Sequence, residues 1–412
     1  MATKQWLGAA ASVAQVTKIV YSSIVVGQTY SAIINGKTIS YTTTTTVLGD
    51  LIDALVSAWN SSAEPEIQEM VAARREDPTL SGLQLTAQAG VGGIVVTASA
   101  TTGTATVTTP TAASGPNFWN VAANWVGGTV PSAADDIEID GAVSSVSILY
   151  GLTDTNNYAS FKRMASYQGQ IGLPATNPNG YQEYRTRRLT LGTGSAIAVE
   201  LGYGTGNHPT LEYYDFQGSN VTLTVHGTTA NTSNGYPAQI VGTGSGTTAN
   251  VYAGSVKFDS LSTSTVSTIN VIQREGGQST PDVHATSKVT CTTVLCVGGQ
   301  MLIEGAMTTL TARDSARVVV AKASAAANVK ASNRAQIDWD SSGGITTKAT
   351  IEPSGIINFG NVGTTKTVAA CDLYRDGEIR DPNGRVTFTT GIVLIGCRIA
   401  DVKVDKGVGI TL

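Results

Sequence analysis

Acidic side chains are the groups whose spacing comes closest to a catalytic arrangement. Asp338 and Asp340 flank Trp339, and Asp135, Asp136, Glu138 and Asp140 crowd one short stretch. Cleaving a glycoside takes two carboxylates about 5–9.5 Å apart. Residues two apart on a strand share a face and lie roughly 6.5–7 Å apart. Asp338 with Asp340 meets that distance, but so does any acidic pair two apart on any strand. Both groups are therefore read as outward-facing acids, with Asp135 and Asp136 in a turn or cap. His208, His226 and His284 sit among Gly and Thr with no nucleophile motif beside them, and are read as surface or turn residues. Cys291, Cys296, Cys371 and Cys397 lack zinc-ligand spacing and are read as small buried hydrophobes. Cys291 and Cys296 are five apart, which on a regular strand sends them to opposite faces. No catalytic residue, cofactor or metal site is expected.

The composition limits what could position such groups. Of 412 residues, 14% are charged, against about 25% in an ordinary globular protein. There are 45 glycines and 57 threonines. Few charges with many Thr and Gly point to β-structure rich in turns. An apolar content of 41% excludes a disordered chain. A formal charge of −4 argues against nucleic acid as a partner. No stretch of about 20 mainly apolar residues is present to span a membrane. The first residues, MATKQWLGAAASVAQVTK, lack the continuous apolar centre of a secretory signal.

Two regions differ in texture. Residues 1–112 read as a small α+β domain. Strands are expected at Ile19–Val26, Tyr30–Ile34 and Lys37–Thr45, with Asn35–Gly36 as a type I′ turn. Val47, Leu48, Leu51, Ile52, Leu55, Val56 and Trp59 follow helical spacing, giving a helix near 47–60 with Thr46 as its N-cap. Strands near 67–75 and 84–87 follow, then a hairpin of 94–99 with 104–108. Residues 109–116 read as a linker. Residues 117–412 carry short apolar runs separated by Gly, Asn, Ser or Asp. They read as a right-handed parallel β-helix with a β-rich C-terminal end. Coils of about 20–30 residues would align Cys371 with Cys397. Near 158–191 the pattern breaks at a loop rich in Tyr and Arg. That loop either projects as an interface or folds onto the protein's own flank.

One segment carries a resemblance. Trp119-x4-Asn124-Trp125-x-Gly127-Gly128-x2-Pro131, followed by Asp135-Asp136-Ile137-x-Ile139, resembles the segment that opens the β-helix of large adhesin-like proteins and of tailed-bacteriophage virion proteins. The preceding unit, with TYSAIINGKTISYT and GLQLTA, looks like a domain of phage structural proteins. The resemblance covers the N-terminal third of the chain and ends at Ile139; the rest matches only in texture. It implies a virion surface protein with a tailspike-like β-helix, made in the host cytoplasm and built as a homotrimer. Two roles go with it. One is a capsid decoration (cement) protein that binds the major capsid protein on the outer head and stabilises the shell. The other is a short tailspike or fibre that binds or cleaves host surface polysaccharide.

An aromatic content of 6% and the modest length favour the decoration role and a structural protein over an enzyme. A host glycan is a further candidate partner at the exposed tip. An adhesin fragment would want a signal or anchoring segment, and neither is read here. For the capsid contact the expectation is a flexible arm over residues 1–16, with Met1, Lys4, Gln5, Trp6 and Leu7 in contact and Trp6 as anchor.

Overall fold

Parallel strands stacked in register organise most of the chain. The computed structural model describes residues 2–75, 82–192, 196–203, 211–228, 235–260, 264–274, 279–360 and 364–405. Among these the fold is mainly β, with one α-helix and a parallel β-solenoid of about 11 turns. The backbone passes alternately through two parallel sheets, one of 15 strands and one of 11.

In-register pairing keeps one residue type in one column. In the larger sheet Ile137, Phe161, Val199, Leu223, Ala249 and Ile269 pair rung by rung, all facing the core. In the smaller sheet Tyr214, Ile240, Phe258, Ala285, Ile303, Val320 and Trp339 form a matching column. Strand alternation fills these columns and sends the intervening Thr, Asn and Lys outward. One charged pair points inward: Arg163 Nε donates to Glu212 Oε2 at 2.9 Å, and both side chains are fully buried. Tyr214 donates its hydroxyl to the same carboxylate.

Coil length varies. Val294 pairs with Leu310 across a short coil, whereas Leu223 pairs with Ala249 across a much longer one. Cys371 stacks on Ile392, because the local coil is shorter than the Cys371–Cys397 spacing. The expected alignment of Cys371 with Cys397 is thereby corrected. Cys291 and Cys296 also depart from expectation, since both face the core. Their strand, Val289–Val297, places two consecutive residues outward at Thr292 and Thr293, which resets the alternation. Neighbouring rungs do the same at Ser267–Thr268 and Thr308–Thr309. Pairing continues on both sides of this outward pair, so the inward residues there keep their columns.

The largest correction concerns the N-terminus. Met1 lies outside the described residues, but residues 2–16 do not form a free arm. Thr3–Gln5 is a strand, paired in parallel with Asp136–Ile139 as the outermost rung of the larger sheet. The chain leaves the solenoid after this rung and builds the small unit before returning. The ends of the insertion meet: Val13 N donates to Ser114 O at 2.8 Å, and Ser114 N to Val13 O at 3.3 Å. The expected linker is therefore shorter, since strand Ala105–Thr111 runs into it.

The inserted unit has two antiparallel sheets. One is ordered Met70–Arg75, Gly82–Ala87, Val16–Tyr21, Ala105–Thr111; the other Lys37–Thr42, Thr29–Ile34, Val96–Ala100. Helix Leu48–Asn60 buries Leu51, Ile52, Leu55 and Trp59 against them, and Trp59 Nε1 donates to Met70 O at 2.8 Å. Asn35 and Gly36 both have positive φ, as a type I′ turn requires. Two local expectations fail. Val47 holds the N-cap position without a side-chain cap, while Thr45 Oγ1 accepts from Val47 N and donates to Asp50. Residues 94–108 are not a hairpin, because each strand completes a different sheet. Gly103, at φ +84°, makes the crossing, where a Cβ would strike Ser22 O.

A Trp-rich cluster closes the solenoid's first coil. Trp6 packs edge-on to Trp125 at 5.2 Å, and Trp119 to Trp125 at 4.7 Å. Trp6 is 0% exposed, and its Nε1 donates to Val146 O at 2.8 Å. Trp6→Ala is expected to cost about 3–5 kcal/mol through lost contacts and a cavity. Hydrogen exchange should rise at Asp136–Ile139, the rung against which residues 3–5 pair. Unchanged protection there would show that the N-terminal strand does not close the solenoid.

Candidate functional site

The residues singled out for a capsid contact lie on this first rung. Lys4 Nζ donates to Thr129 Oγ1 at 2.5 Å, Gln5 Nε2 to Glu138 Oε1 at 2.8 Å, and Leu7 N to Asn124 O at 2.7 Å. Lys4, Gln5 and Leu7 remain partly exposed. The Trp6 side chain is already spent inside the cap and offers no surface to a partner.

The resembling segment builds that cap. Asn124 is fully buried; its Nδ2 donates to Gly115 O and Phe118 O, both at 2.8 Å, and its Oδ1 accepts from Ala10 N at 2.8 Å. Trp119 Nε1 donates to Asp154 Oδ2 at 2.8 Å, and Trp125 Nε1 to Trp119 O at 2.7 Å. Asp135 accepts from Ser132 N and Oγ at 2.9 and 3.0 Å. Those bonds, led by the backbone one, hold its carboxyl below the ordinary range. Asp135 is a turn cap.

The other carboxylates, apart from Asp340, also have hydrogen-bond partners within the chain, whereas the buried Oδ1 of Asp340 has none among the described residues. Asp136 accepts from Ser160, Glu138 from Gln5, and Asp140 from Ala142 N and Ser166. Asp338 accepts from Gln336 Nε2 at 2.8 Å and Asn358 Nδ2 at 2.7 Å. Asp340 lies beyond its strand, which ends at Trp339. Burial nevertheless keeps alternating, with Trp339 buried between the half-buried Asp338 and Asp340. Asp340 neighbours Lys366, a buried ammonium donating to Trp339 O at 2.5 Å. Burial pulls the Lys366 pKa down despite Asp340 and Asp381 nearby.

His226 Nε2 lies 3.1 Å from Glu200 on the outer face, and the ring of His284 lies 5.7 Å from that of Tyr236. Burial lowers the His284 pKa even though Glu304 favours its charged form. His208 lies outside the described residues. All four cysteines are free, and only Cys397 is partly exposed. Burial pushes the thiols of Cys291, Cys296 and Cys371 up to about 12. A disulfide-exchange reagent at pH 8 is expected to modify at most Cys397 in the native protein, and all four after unfolding. Rapid native labelling of two or more thiols would contradict this packing.

The Tyr/Arg loop folds inward. Arg185 is its centre, joining the inserted unit to the solenoid. Its Nη2 donates to Glu69 Oε1 at 3.0 Å and its Nε to Glu183 Oε1 at 2.8 Å. Its Nη1 donates to Gly92 O at 3.2 Å. The hydroxyls of Tyr181 and Tyr184 donate to Glu69 at 2.5 and 3.1 Å. The side chains of Arg185, Glu69 and Glu183 are at most 5% exposed. Of the two readings left open for this loop, it folds onto the protein itself, and its partner is Glu69 of the same chain, far earlier in the sequence.

No protein-family model, curated protein or solved structure matches this chain.

Arg185→Ala would leave two buried carboxylates without their cation, a loss of about 3–5 kcal/mol. Limited proteolysis should then release the inserted unit while the solenoid survives. Burial tends to raise the Glu183 carboxyl, but the Arg185 hydrogen bonds outweigh it and hold it below the ordinary value. The contribution of Glu183 is complete above the unfolded carboxyl pKa of about 4.3 and is lost as pH falls through the lower folded value. Acid titration of the wild type should loosen the unit over that window. An acid-independent junction would contradict the assignment.

Proposed function

We propose that this chain is a structural protein of a tailed-bacteriophage virion: a homotrimeric decoration protein on the outer head that binds and stabilises the capsid shell. The observation that carries the reading is the position of the resembling segment. Residues Trp119–Ile139 form the capped first coil of a parallel solenoid, and a small α+β unit sits inside that coil. Such a body is stiff. Its rungs share backbone hydrogen bonds, and its head unit is pinned by a buried ion cluster. A stiff clamp touching several shell subunits opposes internal pressure through added interface and mass action. Trimerisation would cover flanks that carry few charges for a surface of this size. The hydrogen-bonded state of Asp135, Asp136, Glu138, Asp140 and Asp338 favours a structural role over glycan cleavage.

Gold-labelled antibody on purified virions tests the reading. Label on heads is expected, and label confined to tails would overturn it in favour of a tailspike or fibre. Light scattering should give three times the 42.5 kDa chain mass. Lys4→Glu, at a partly exposed position on the first rung, is expected to lower head occupancy. A polysaccharide-clearing zone that disappears in Asp338→Asn would support the enzymatic alternative.

A further inference from the structure

We propose that the chain closes an amide bond between its own Lys366 and Asp340 side chains, with loss of one water, inside the last coils of the solenoid. The proposal does not depend on the virion reading. Lys366 opens strand Lys366–Val368 of the larger sheet and points inward, 3% exposed. A buried ammonium is costly unless it is paired and hydrogen-bonded. Lys366 has one hydrogen bond among the described residues, to a neutral acceptor, Trp339 O, at 2.5 Å, and no ion pair there. The ring centre of Phe359 lies 5.6 Å from its Nζ. Trp339 and Phe359 are themselves buried, so the amine sits in apolar surroundings.

Asp340 supplies the missing partner. It follows Trp339 directly, so the bond to Trp339 O puts Lys366 Nζ within roughly 5 Å of the Asp340 Cα by peptide geometry. The turn that carries Asp340 is fixed: Ser341 Oγ bonds to Ser324 O at 2.5 Å, and Trp339 Nε1 donates to Gly343 O at 2.8 Å. The buried Oδ1 of Asp340 has no hydrogen bond among the described residues, so none holds that oxygen away from the amine. Asp381 is buried as well, and its charge acts on Lys366. Both its oxygens are engaged, from Arg385 N at 3.1 Å and Val386 N at 2.9 Å, which suits it to carry protons rather than to be attacked. In the reaction the ammonium first gives a proton to the Asp340 carboxylate. The free amine attacks Cγ and the N–C bond forms. A second amine proton passes through Asp381 to the departing hydroxyl as its C–O bond breaks. One ammonium and one carboxylate thus yield one neutral amide and one water, with no oxidant or activated co-reactant. Holding the two groups side by side supplies the effective concentration that the reaction lacks in water. Burial favours the uncharged product, and it also lowers the Lys366 pKa, which raises the share of free amine. The bond would staple the larger sheet to the turn after Gln336–Trp339 of the smaller one, within one coil.

The test is mass spectrometry of the full chain, denatured, both intact and after digestion. The wild type is expected one water lighter than its sequence, with tandem spectra joining the peptides that hold Lys366 and Asp340. Lys366→Arg and Asp340→Ala are each expected at their full sequence mass, and Asp340→Asn should lose ammonia in place of water. Three outcomes would overturn the proposal. One is folded wild-type chain that stays at full sequence mass. Another is a link from Lys366 to Asp381 or to any other acid. The third is water loss that persists in Lys366→Arg. The wild-type spectrum decides the matter even where a variant fails to fold.

Discussion

Register between successive coils is the constraint on which the rest depends. A parallel rung satisfies its backbone N–H and C=O groups only through the rungs above and below, about 4.8 Å away. A one-residue slip would turn a whole rung inside out. Each coil must therefore present apolar residues at the same columns, whatever its turns do. The short coil from Val294 to Leu310 and the long one from Leu223 to Ala249 coexist because their turns absorb the difference. The outward pair Thr292–Thr293 shows the same rule. One extra outward residue there lets Cys291 and Cys296 both remain in core columns.

A stacked solenoid has two ends, and an end rung exposes backbone groups and apolar side chains. At the N-terminal end the answer is a strand borrowed from the start of the chain. Thr3–Gln5 supplies the outer rung, and Trp6, Trp119 and Trp125 supply the apolar cover. The polar residues of the resembling segment serve the same closure. Asn124 fills its bonding capacity with backbone groups, and Asp135 with a turn. Inserting a folded unit inside that coil costs little, because its two ends already lie side by side at Val13 and Ser114. Its orientation is then set by a few buried charges around Arg185, and that junction leaves an open groove beside it.

Much of the local structure was legible in residue order. Short apolar runs between turn residues, read across 117–412, form strands such as Gln300–Ile303, Ser255–Phe258 and Ile392–Ile395. The Asn35–Gly36 turn and the helix ending at Asn60–Ser61 were equally readable. Thr3–Gln5 was not, because three polar residues carry no strand pattern of their own. Their partner strand, Asp136–Ile139, lies beyond the whole inserted unit in the sequence. The 94–108 segment misled for a related reason: a short Gly-containing connection suits a hairpin, but two open sheet edges were each in reach. Of the candidate site, composition exposed the Tyr/Arg loop as a contact region and left Glu69 invisible.

The sequence by itself determined the class of structure: a charge-poor, Thr- and Gly-rich chain of short alternating runs stacks into coils, because such runs bury little alone and much together. It also determined the turns, where Gly and Asn relieve steric limits locally. Tertiary structure alone decided which strand closes the first coil, which sheet each strand of the small unit joins, and which carboxylates meet Arg185. Those choices turn on long-range pairing, in which chemically equivalent edges and charges compete and only three-dimensional proximity selects among them.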